Sequence, residues 1–451
     1  MSSAVHDSGG LLARLQSDGI EHFWVTYHDY SGIGAAKSIP PEGFKSVAET
    51  GAVFAVANLD MDILDYQPES ATWLAGSADF LAVPDPRSYK VLPRFPRTGQ
   101  ANVWMRATDG SVWDGCPRTR LEAVVSELEH EGFTAQCAFE PEFYLLRKTS
   151  ESEYEPVNAT RMFTQAGLQE NQPFVARVVN ELREMGVTVA QIGKEYGPGQ
   201  YEMSVHHGPP IKALDDYLAL KDTVRDIARE CGSVATFMPK PYAGWAGNSL
   251  HVHISLWDPS GERHLTATSA DSTSLSREGM WFLGGLLRHA PALTALGSPT
   301  VNSYKRLLPG SWAPANIYWG YGNRSGVARV PGVGDRRHIE YRSGDNSCNP
   351  ALFLTGLLAA GLDGIRNQTE PGAPFEGDVD RMTTAQMLEQ GLTFLPRTLE
   401  EAFTALESDD VVSEAIGEVI LTHFLSVKRS ELATYQLTVH PWERSTYLEV
   451  I

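Results

Sequence analysis

Several predicted strands carry ionisable side chains at every second position. In AFEPEFYLL, Glu140 and Glu142 are two residues apart, and His251 and His253 have the same spacing in GNSLHVHISLW. Successive side chains of a β-strand point to opposite faces, so each pair shares one face of its strand. Ser255 continues the face of the two histidines. The pattern predicts a sheet face lined with carboxylates and imidazoles.

Two further segments repeat this arrangement. GQYEMSV carries Glu202 among apolar residues, with Glu195 seven residues earlier, and HIEYR places Glu340 two residues from Arg342. A solvated sheet face is the ordinary interpretation of any one such strand. Charges that face inward must instead be paired or must coordinate a metal, because burying an isolated charge is costly. Carboxylates with few histidines favour a hard cation, Mg²⁺ or Mn²⁺, over structural zinc.

Arginines cluster in the loops that follow these strands. They are Arg306, Arg324, Arg329, Arg336, Arg337 and Arg342. Arginine binds phosphate and carboxylate groups through paired hydrogen bonds. The chain has no GxxxxGK[ST] phosphate loop, and its GPG and GVG segments are incomplete as dinucleotide-binding motifs. Metal-binding carboxylates beside arginines therefore indicate phosphoryl transfer on another scaffold, with a surface salt-bridge network as the alternative.

The elements that must position these residues follow from the periodicity of the chain. Helices are predicted at 11–20, 121–132, 170–186, 212–231, 276–290, 350–366, 398–406 and 410–434. Short alternating strands lie between them, and a break rich in Gly, Asp and Pro covers 109–120. We therefore predict an N-terminal tail at 1–10, a small N-terminal domain at 11–108 and a catalytic domain at 109–451.

Composition limits the possible partners and the compartment. The 451 residues carry a formal net charge of −19, which disfavours nucleic acid and anionic membranes as partners. No apolar run approaches the roughly 18 residues that a membrane helix needs, and the N-terminus lacks a signal-peptide pattern. The four cysteines are scattered without a CxxC pair, which is typical of a reducing compartment. We therefore expect a cytoplasmic protein.

Six motifs in order give the chain a resemblance to the glutamine synthetase superfamily. They are FEPEFYLL, KEYGPGQYE, GNSLHVHISLW, NSYKRLLPG, NRSGVARVP and HIEYR. The resemblance covers nearly the whole chain, and within the superfamily it points to the γ-glutamyl amine ligases. It implies an α+β fold, with a small N-terminal β-grasp domain and a larger catalytic α/β domain whose antiparallel strands line the active site. It also implies a homo-oligomer of two stacked hexameric rings, a dodecamer, with active sites between neighbouring subunits.

The resemblance also implies roles for individual residues. Two or more divalent ions would bind in each active site, one held by Glu142, Glu195 and Glu202 and another by Glu140, His251 and Glu340. The residues implied to bind glutamate are Gly247, Arg306 and Arg342. Those implied to bind ATP are His253, Ser255, Arg324, Arg329 and Arg337, and the implied catalytic arginines are Arg306, Arg324 and Arg329. The implied reaction is phosphorylation of the γ-carboxylate of L-glutamate by ATP, followed by attack of an amine on the acyl phosphate.

The sequence departs from the family where an ammonium ion would bind. The N-terminal region lacks the family's Asp-Gly-Ser segment at the matching place, and LPGSWAPA has Trp312 where the family has a flap glutamate. Trp312 removes a negative charge and adds an aromatic surface that suits an apolar amine. We therefore expect an amine larger than ammonia, with an apolar or aromatic amine favoured. Trp245 is a candidate second wall, and simple packing is the alternative for both tryptophans.

Other functions stay open at this point. A true glutamine synthetase would use ammonium despite these changes, and a γ-glutamyl polyamine or alkylamine synthetase would bind a cation through Asp60, Asp62 or Asp65. A non-catalytic relative is disfavoured, because all six implied metal ligands are present. His338 stands where the family has an arginine near the nucleotide phosphates, so Arg336 or Arg337 is expected to replace that arginine.

Overall fold

The computed structural model describes residues 7–268 and 274–451, apart from the side chain of Asp380. Residues 1–6 of the predicted tail lie outside the described residues, and the first helix begins at Ser8, within the range predicted as tail. Two β-sheets with helices packed against them make up the fold. The predicted α+β fold class is confirmed.

The smaller sheet is built from the N-terminal part of the chain. Its strands are β1 (His22–His28), β2 (Gly34–Ile39), β3 (Ala52–Ala55), β4 (Asp79–Pro84), β5 (Lys90–Val91) and β6 (Thr98–Arg106). The strand order is β2-β1-β6-β4-β3, with β5 paired to β6. The pair β1 and β6 is parallel and the other pairs are antiparallel. Two helices accompany this sheet, α1 (Ser8–Ser17) and α2 (Phe44–Thr50).

The larger sheet begins after residue 133. Its strands are β7 (Thr134–Lys148), β8 (Tyr154–Pro156), β9 (Val189–Lys194), β10 (Gln200–Val205), β11 (Val234–Thr236), β12 (Leu250–Trp257), β13 (Asn316–Gly320), β14 (Gly326–Arg329), β15 (Ile339–Tyr341) and β16 (Thr393–Phe394). The order is β16-β13-β14-β15-β12-β7-β10-β9, with β8 and β11 also paired to β7. The strands that carry the alternating charges, β15, β12, β7 and β10, are therefore consecutive neighbours.

Helices surround the larger sheet. They are α3 (Pro117–His130), α4 (Gln165–Glu170), α5 (Gln172–Glu184), α6 (Pro210–Glu230), α7 (Arg277–Arg288), α8 (Ala290–Gly297), α9 (Pro350–Arg366), α10 (Thr384–Glu389), α11 (Leu399–Glu407), α12 (Asp410–Ile416), α13 (Glu418–Leu437) and α14 (Pro441–Tyr447). Among the described residues, none of these helices is long and apolar enough to cross a membrane.

One helix predicted to be continuous is interrupted in the structure. The range 410–434 was expected to be a single helix, but it is divided into α12 and α13 at Gly417. Gly417 has φ of 85°, a left-handed conformation that interrupts a right-handed helix and that glycine adopts at little cost. The apolar periodicity continues through the break, so it does not reveal where the helix ends.

The boundary between the two parts of the chain stays a proposal. Strand β6 ends at Arg106 and α3 begins at Pro117, so the segment between them coincides with the break seen in the sequence. Arg118 on α3 donates to Asp85 at 2.8 Å, and to Asp215 on α6. This buried ion network ties the end of β4 to the helices of the larger sheet. We propose the division at residue 109 on these grounds.

Candidate active site

Strand β7 supplies the centre of a polar cluster through two glutamates on one face. Across the β7–β12 pair, Glu140 is opposite His251, and across the β7–β10 pair, Glu142 is opposite Glu202. The Nδ1 atom of His251 lies 3.3 Å from Oε2 of Glu140. Cross-strand neighbours have side chains close enough to interact, so the sheet register itself assembles these groups.

On the side of β7 away from β10, strands β12, β15 and β14 extend the cluster. His253 is opposite Glu340 across the β12–β15 pair, and Glu340 is opposite Arg329 across the β15–β14 pair. The Nη1 atom of Arg329 donates to Oε2 of Glu340 at 2.7 Å, and Arg342 forms an ion pair with the other oxygen of this carboxylate. Glu340 is 1% exposed, so the two arginines compensate a buried negative charge.

Glu195 and Glu202 are compensated much less. Burial raises the pKa of Glu195 to about 7, with a further increase from Glu142. Burial likewise raises the pKa of Glu202, and repulsion from Glu140 and Glu142 adds to the effect. Buried acidic groups that repel one another hold protons more tightly, or bind a cation in their place.

The donor set fits a divalent cation. Ligand atoms of Glu140, Glu202 and His251 all lie within 4.8 Å of one another, and the same is true of Glu140, His253 and Glu340. Oxygen-rich sets with one imidazole suit Mg²⁺ or Mn²⁺. These sets differ from the two implied by the sequence. Glu140 belongs to both, His253 joins one although the sequence assigned it to the nucleotide, and Glu142 and Glu195 line the adjoining cavity without joining either set.

A cavity of about 300 Å³ opens beside these carboxylates. Its lining includes Glu142, Glu195, Glu202, His251, Gly247, Arg306, Arg324 and Arg342. Arg306 is 3% exposed, and its Nη2 atom donates to the carbonyl oxygens of Ser343 and Gly344. Among the described residues no carboxylate forms an ion pair with Arg306, so this buried cation has room for an anionic ligand.

Gly247 is needed for the close packing of Arg306. A Cβ atom at position 247 would lie 2.5 Å from Cγ of Arg306 and 2.9 Å from the carbonyl oxygen of Pro239. Contacts this short require one of the groups to shift, and the Pro239 backbone cannot move freely. The glycine therefore holds the loop against the arginine that the sequence assigned to the same ligand.

A second cavity, of about 540 Å³, lies on the other side of Glu140 and His253. Its lining includes Glu140, His253, Ser255, Arg336, Arg337 and His338. Ser255 accepts a hydrogen bond from Nε1 of Trp257 at 2.9 Å. Arg337 donates to the carbonyl oxygen of Val330 at 3.1 Å and stacks over the ring of Tyr321. Of the residues assigned to ATP, His253, Ser255 and Arg337 thus line the second cavity and Arg324 lines the first, whereas Arg329 lines neither and pairs with Glu340.

Three aromatic side chains line the first cavity, and the middle one, Tyr196, contacts the other two. The ring of Tyr196 lies 5.2 Å from that of Trp312 and 6.1 Å from that of Phe163, both edge-on. Their exposed fractions are 43%, 55% and 66%. Trp312 and Phe163 have φ of 57° and 52°, a conformation that is costly for a residue with a side chain. We name Phe163, Tyr196 and Trp312 the aromatic wall.

Sequence reasoning found only one member of the aromatic wall. Trp312 was identified because it replaces a family glutamate, whereas Tyr196 directly follows Glu195 and could have been found from that adjacency. Phe163 lies in a loop after β8 and gives no signal in the sequence. Its place in the wall depends on its left-handed backbone and on the hydrogen bond from its amide to the carbonyl of Lys194 at 2.9 Å.

The other residues considered for binding the amine lie outside the first cavity. Trp245 packs against Tyr242 and Tyr144 at ring distances of 4.0 and 5.5 Å and does not line the cavity, so packing explains it. Asp60 is buried, and its carboxylate contacts Nδ1 of His423 at 2.5 Å. Asp62 accepts two backbone amides of its own turn. Within this chain the acidic loop therefore does not contribute to the cavity.

Comparison with known proteins decides the family. Residues 114–447 match the family model of the glutamine synthetase catalytic domain. The chain belongs to the glutamine synthetase family. A glutamate–methylamine ligase of Methyloversatilis universalis is 35% identical over 96% of this chain and 98% of its own. A glutamine synthetase of Thermus thermophilus is 33% identical over 97% of this chain and 98% of its own.

Solved structures agree with this assignment. A GmaS–ADP complex superposes with a TM-score of 0.86 at 32% identity, covering 97% of this chain and 99% of that one. A ligand-free GmaS structure gives a TM-score of 0.85 at 31% identity. This glutamine synthetase family member is therefore an ATP-dependent ligase that joins glutamate to an amine, as the sequence predicted. Members of the family use divalent metals and ATP.

Proposed function

We propose that the chain joins the γ-carboxylate of L-glutamate to an amine larger than ammonia, with an apolar or aromatic amine favoured. The products would be a γ-glutamylamide, ADP and phosphate. The observation that carries the proposal is the aromatic wall, which lines the same cavity as the buried carboxylates and Arg306. Aromatic faces bind apolar groups well and ammonia poorly.

Different polar side chains would bind the divalent ions and ATP. Glu142, Glu195 and Glu202 would hold one divalent ion, and Glu140, His251 and Glu340 another, as expected from the sequence. When bound, such ions neutralise phosphate charge and polarise the phosphoryl group that is transferred. Arg324, Arg329 and Arg337, with His253 and Ser255, would orient the phosphates of ATP. Burial and the repulsion of neighbouring carboxylates raise the pKa of Glu202, which supports this assignment.

Arg306 would bind and orient the glutamate substrate, with Arg342 as the second cation. A buried guanidinium that has only carbonyl partners is short of negative charge, and a substrate carboxylate would provide it. Gly247 would keep that guanidinium in place. Phosphorylation then converts the γ-carboxylate into an acyl phosphate, whose leaving group is phosphate, and the amine nitrogen displaces it. Trp312 would cover this intermediate and exclude water.

A short alkylamine is a second candidate for the amine. The 35% identity to a glutamate–methylamine ligase over nearly the whole chain favours it. An alkylamine has a pKa near 10 and arrives as a cation. Aromatic faces attract such cations, and Glu195 directly precedes Tyr196 in the cavity lining. The aromatic wall is thus compatible with both kinds of amine, and the two candidates differ in the charge of the amine.

An amine panel tests the proposal. The purified protein with ATP, Mg²⁺ and glutamate would be assayed for phosphate release with ammonium, methylamine, longer alkylamines, polyamines and anilines. We expect a higher kcat/KM for at least one substituted amine than for ammonium. Best turnover with ammonium would contradict the proposal. Best turnover with methylamine at high pH, with no turnover of anilines, would select the second candidate.

A further inference from the structure

The amino group of Lys194 is hydrogen-bonded to the turn that joins β9 to β10. Lys194 is the last residue of β9 and is 1% exposed, and its Nζ atom donates to the carbonyl oxygens of Glu195 and Gly197, both at 2.6 Å. Lysine is almost never fully buried unless its amino group has partners. The two carbonyls stand on either side of Tyr196, so the buried lysine fixes the main chain that carries this ring.

The main chain of Lys194 holds a second member of the aromatic wall. Its carbonyl oxygen accepts a hydrogen bond from the amide of Phe163 at 2.9 Å. Gln200 supports the same turn, because its Oε1 atom accepts from the amide of Gly197 at 2.8 Å. Lys194 therefore contacts the backbone of Phe163 directly and the backbone on both sides of Tyr196.

The rings of Tyr196 and Phe163 depend on the main chain for their positions. They are 43% and 66% exposed, so packing in a core does little to hold them. Side chains that are mobile before binding must be ordered during binding, and this ordering reduces affinity. A main chain that is fixed beneath the rings lowers that cost for a ligand that contacts them.

We propose that Lys194 is a positioning residue that preorganises the aromatic wall and thereby raises the selectivity for a substituted amine over ammonium. A substituted amine contacts the rings, whereas ammonium is too small to gain from their order. The inference rests on the proposed function, in which the aromatic wall binds the amine. It gives Lys194 no contact with a ligand, because its amino group donates to backbone carbonyls.

Replacement of this lysine by methionine tests the proposal on the whole enzyme. Lys194→Met removes the hydrogen-bond donor and fills most of the same space. With ATP, Mg²⁺ and glutamate present, we expect kcat/KM for the best amine of the panel to fall about fivefold or more, because the rings must then be ordered on binding. The kcat/KM for ammonium and the KM of glutamate should stay within about twofold, since neither ligand depends on the rings.

The control is Lys428→Met, which removes an equally buried lysine from α13. Lys428 is also 1% exposed, and its amino group pairs with Glu431 at 3.0 Å, outside both cavities. The change should leave the preference for the amine over ammonium as it is in the wild type. An equal fall in this preference in the two methionine variants would overturn the proposal, because it would follow from the loss of any buried lysine.

Tyr196→Ala separates this inference from the proposed function on which it rests. If Tyr196→Ala leaves the preference for the amine unchanged, the aromatic wall is not the amine site and both proposals fail. If Tyr196→Ala lowers the preference and folded Lys194→Met does not, the inference about Lys194 alone is overturned. When Lys194 acts through the wall, Lys194→Met causes a smaller loss in the Tyr196→Ala background than in the wild type, and losses that add in full would contradict this.

The dependence on Mg²⁺ distinguishes an effect through the adjoining carboxylate of Glu195. A raised Mg²⁺ requirement in Lys194→Met, with no change in the preference for the amine, would assign Lys194 to the metal site and overturn the proposal. If Lys194→Met does not fold, Gly167→Ala perturbs the same lysine, since a Cβ atom at position 167 would lie 2.6 Å from Cγ of Lys194. Gly167 lies inside α4, where alanine favours the helix. We expect a smaller fall in the preference, and an unchanged preference would overturn the proposal.

Discussion

At the scale of single residues, Trp312 contributes most to the proposed amine specificity. More than half of its surface is exposed, and its backbone is held in a left-handed conformation. Burial in a core does not account for either property, since an exposed tryptophan gains little from packing. Strain of this kind persists where the surrounding structure imposes it, and it concentrates at functional sites. The tryptophan is therefore better explained by contact with a ligand than by the stability of the loop.

Removing this ring should affect the amine and spare glutamate. We expect Trp312→Ala to raise the KM of the preferred amine about fivefold or more, because an aromatic contact contributes about 1 kcal/mol beyond area burial. The KM of glutamate, which is proposed to bind Arg306, should stay within about twofold. Steady-state kinetics with each substrate varied measures both values. Leu388→Ala is the control, because Leu388 is equally exposed, at 58%, and lies outside the cavity. An equal loss for both substrates would mean that Trp312 supports the scaffold.

The crowded carboxylates predict how metal binding depends on pH. The pKa values of Glu195, about 7, and of Glu202 are raised above their usual range. Such groups keep their protons in the folded protein while the unfolded chain has released them. The stability of the metal-free protein should therefore fall as pH rises from about 4.3 through the folded values. A divalent ion competes with those protons, so it should bind more tightly at higher pH.

Thermal unfolding with and without Mg²⁺ measures this linkage. The increase in Tm at a fixed Mg²⁺ concentration should be larger at pH 8.5 than at pH 6.0. Glu202→Gln should reduce this increase, while Glu184→Gln, which changes an exposed carboxylate on α5, should not. An increase that is the same at both pH values would show that the carboxylates do not exchange protons for metal.

At the scale of elements, the alternation in β7, β10, β12 and β15 made most of the site predictable. Glu140 and Glu142, or His251 and His253, share a face because of the strand period alone. Which strands are neighbours could not be read from the sequence, because pairing joins segments about 60 to 120 residues apart along the chain. The family motifs supplied that order, and the register then brought the ligands together.

Loops and helix ends were less predictable for a physical reason. The position of Phe163 and the break at Gly417 depend on left-handed backbone conformations, which leave no periodic pattern. Nothing in the sequence indicates that the Nδ1 atom of His338 contacts the carbonyl oxygen of Arg336, at 2.8 Å. That contact depends on where the loop before β15 places the Arg336 carbonyl. Local pattern thus predicts faces of regular elements better than the residues that lie between them.

A histidine between helices gives a further prediction at this scale. His289, at the junction of α7 and α8, contacts Asp409 at 2.7 Å and Asp363 at 3.0 Å. Burial alone would lower the pKa of His289, but the two carboxylates raise it overall. Its charged form therefore stabilises the fold below the unfolded pKa of about 6.5, and this contribution is lost as pH rises through the folded pKa.

Replacing this histidine should cost more at low pH. We expect His289→Asn to destabilise the protein by about 2 kcal/mol at pH 6, because hydrogen bonds between charged groups are lost. The cost should be smaller at pH 9. Thermal unfolding at the two pH values measures the difference, and His22→Asn, at an exposed position, is the control. A cost that does not change with pH would show that His289 is neutral in the fold.

At the scale of the whole molecule, the C-terminus exposes apolar side chains that a single chain does not cover. Among them are Leu437, Val439, Trp442, Leu448, Val450 and Ile451, with exposed fractions of 63% or more. Contiguous exposed apolar groups mark interaction surfaces. In the predicted homo-oligomer, a second copy of this chain would be available to cover these side chains. We propose that this segment contributes to contacts between subunits of the predicted dodecamer.

Truncation tests the assembly. We expect the full chain to form a dodecamer in light scattering coupled to size-exclusion chromatography. Removal of residues 438–451 should give a smaller assembly with an unchanged circular dichroism spectrum, because these residues lie outside the core. A dodecamer that persists after truncation would exclude the segment from the contacts that hold it together.

The central claim is that the nucleophile is an amine larger than ammonia, and direct competition tests it most simply. The enzyme would receive ATP, Mg²⁺ and glutamate with equal concentrations of ammonium and of the best amine from the panel, and both products would be quantified by mass spectrometry. The aromatic wall predicts that the γ-glutamylamide exceeds glutamine at least about tenfold, a difference of about 1.4 kcal/mol in transition-state binding. Glutamine as the main product would contradict the claim.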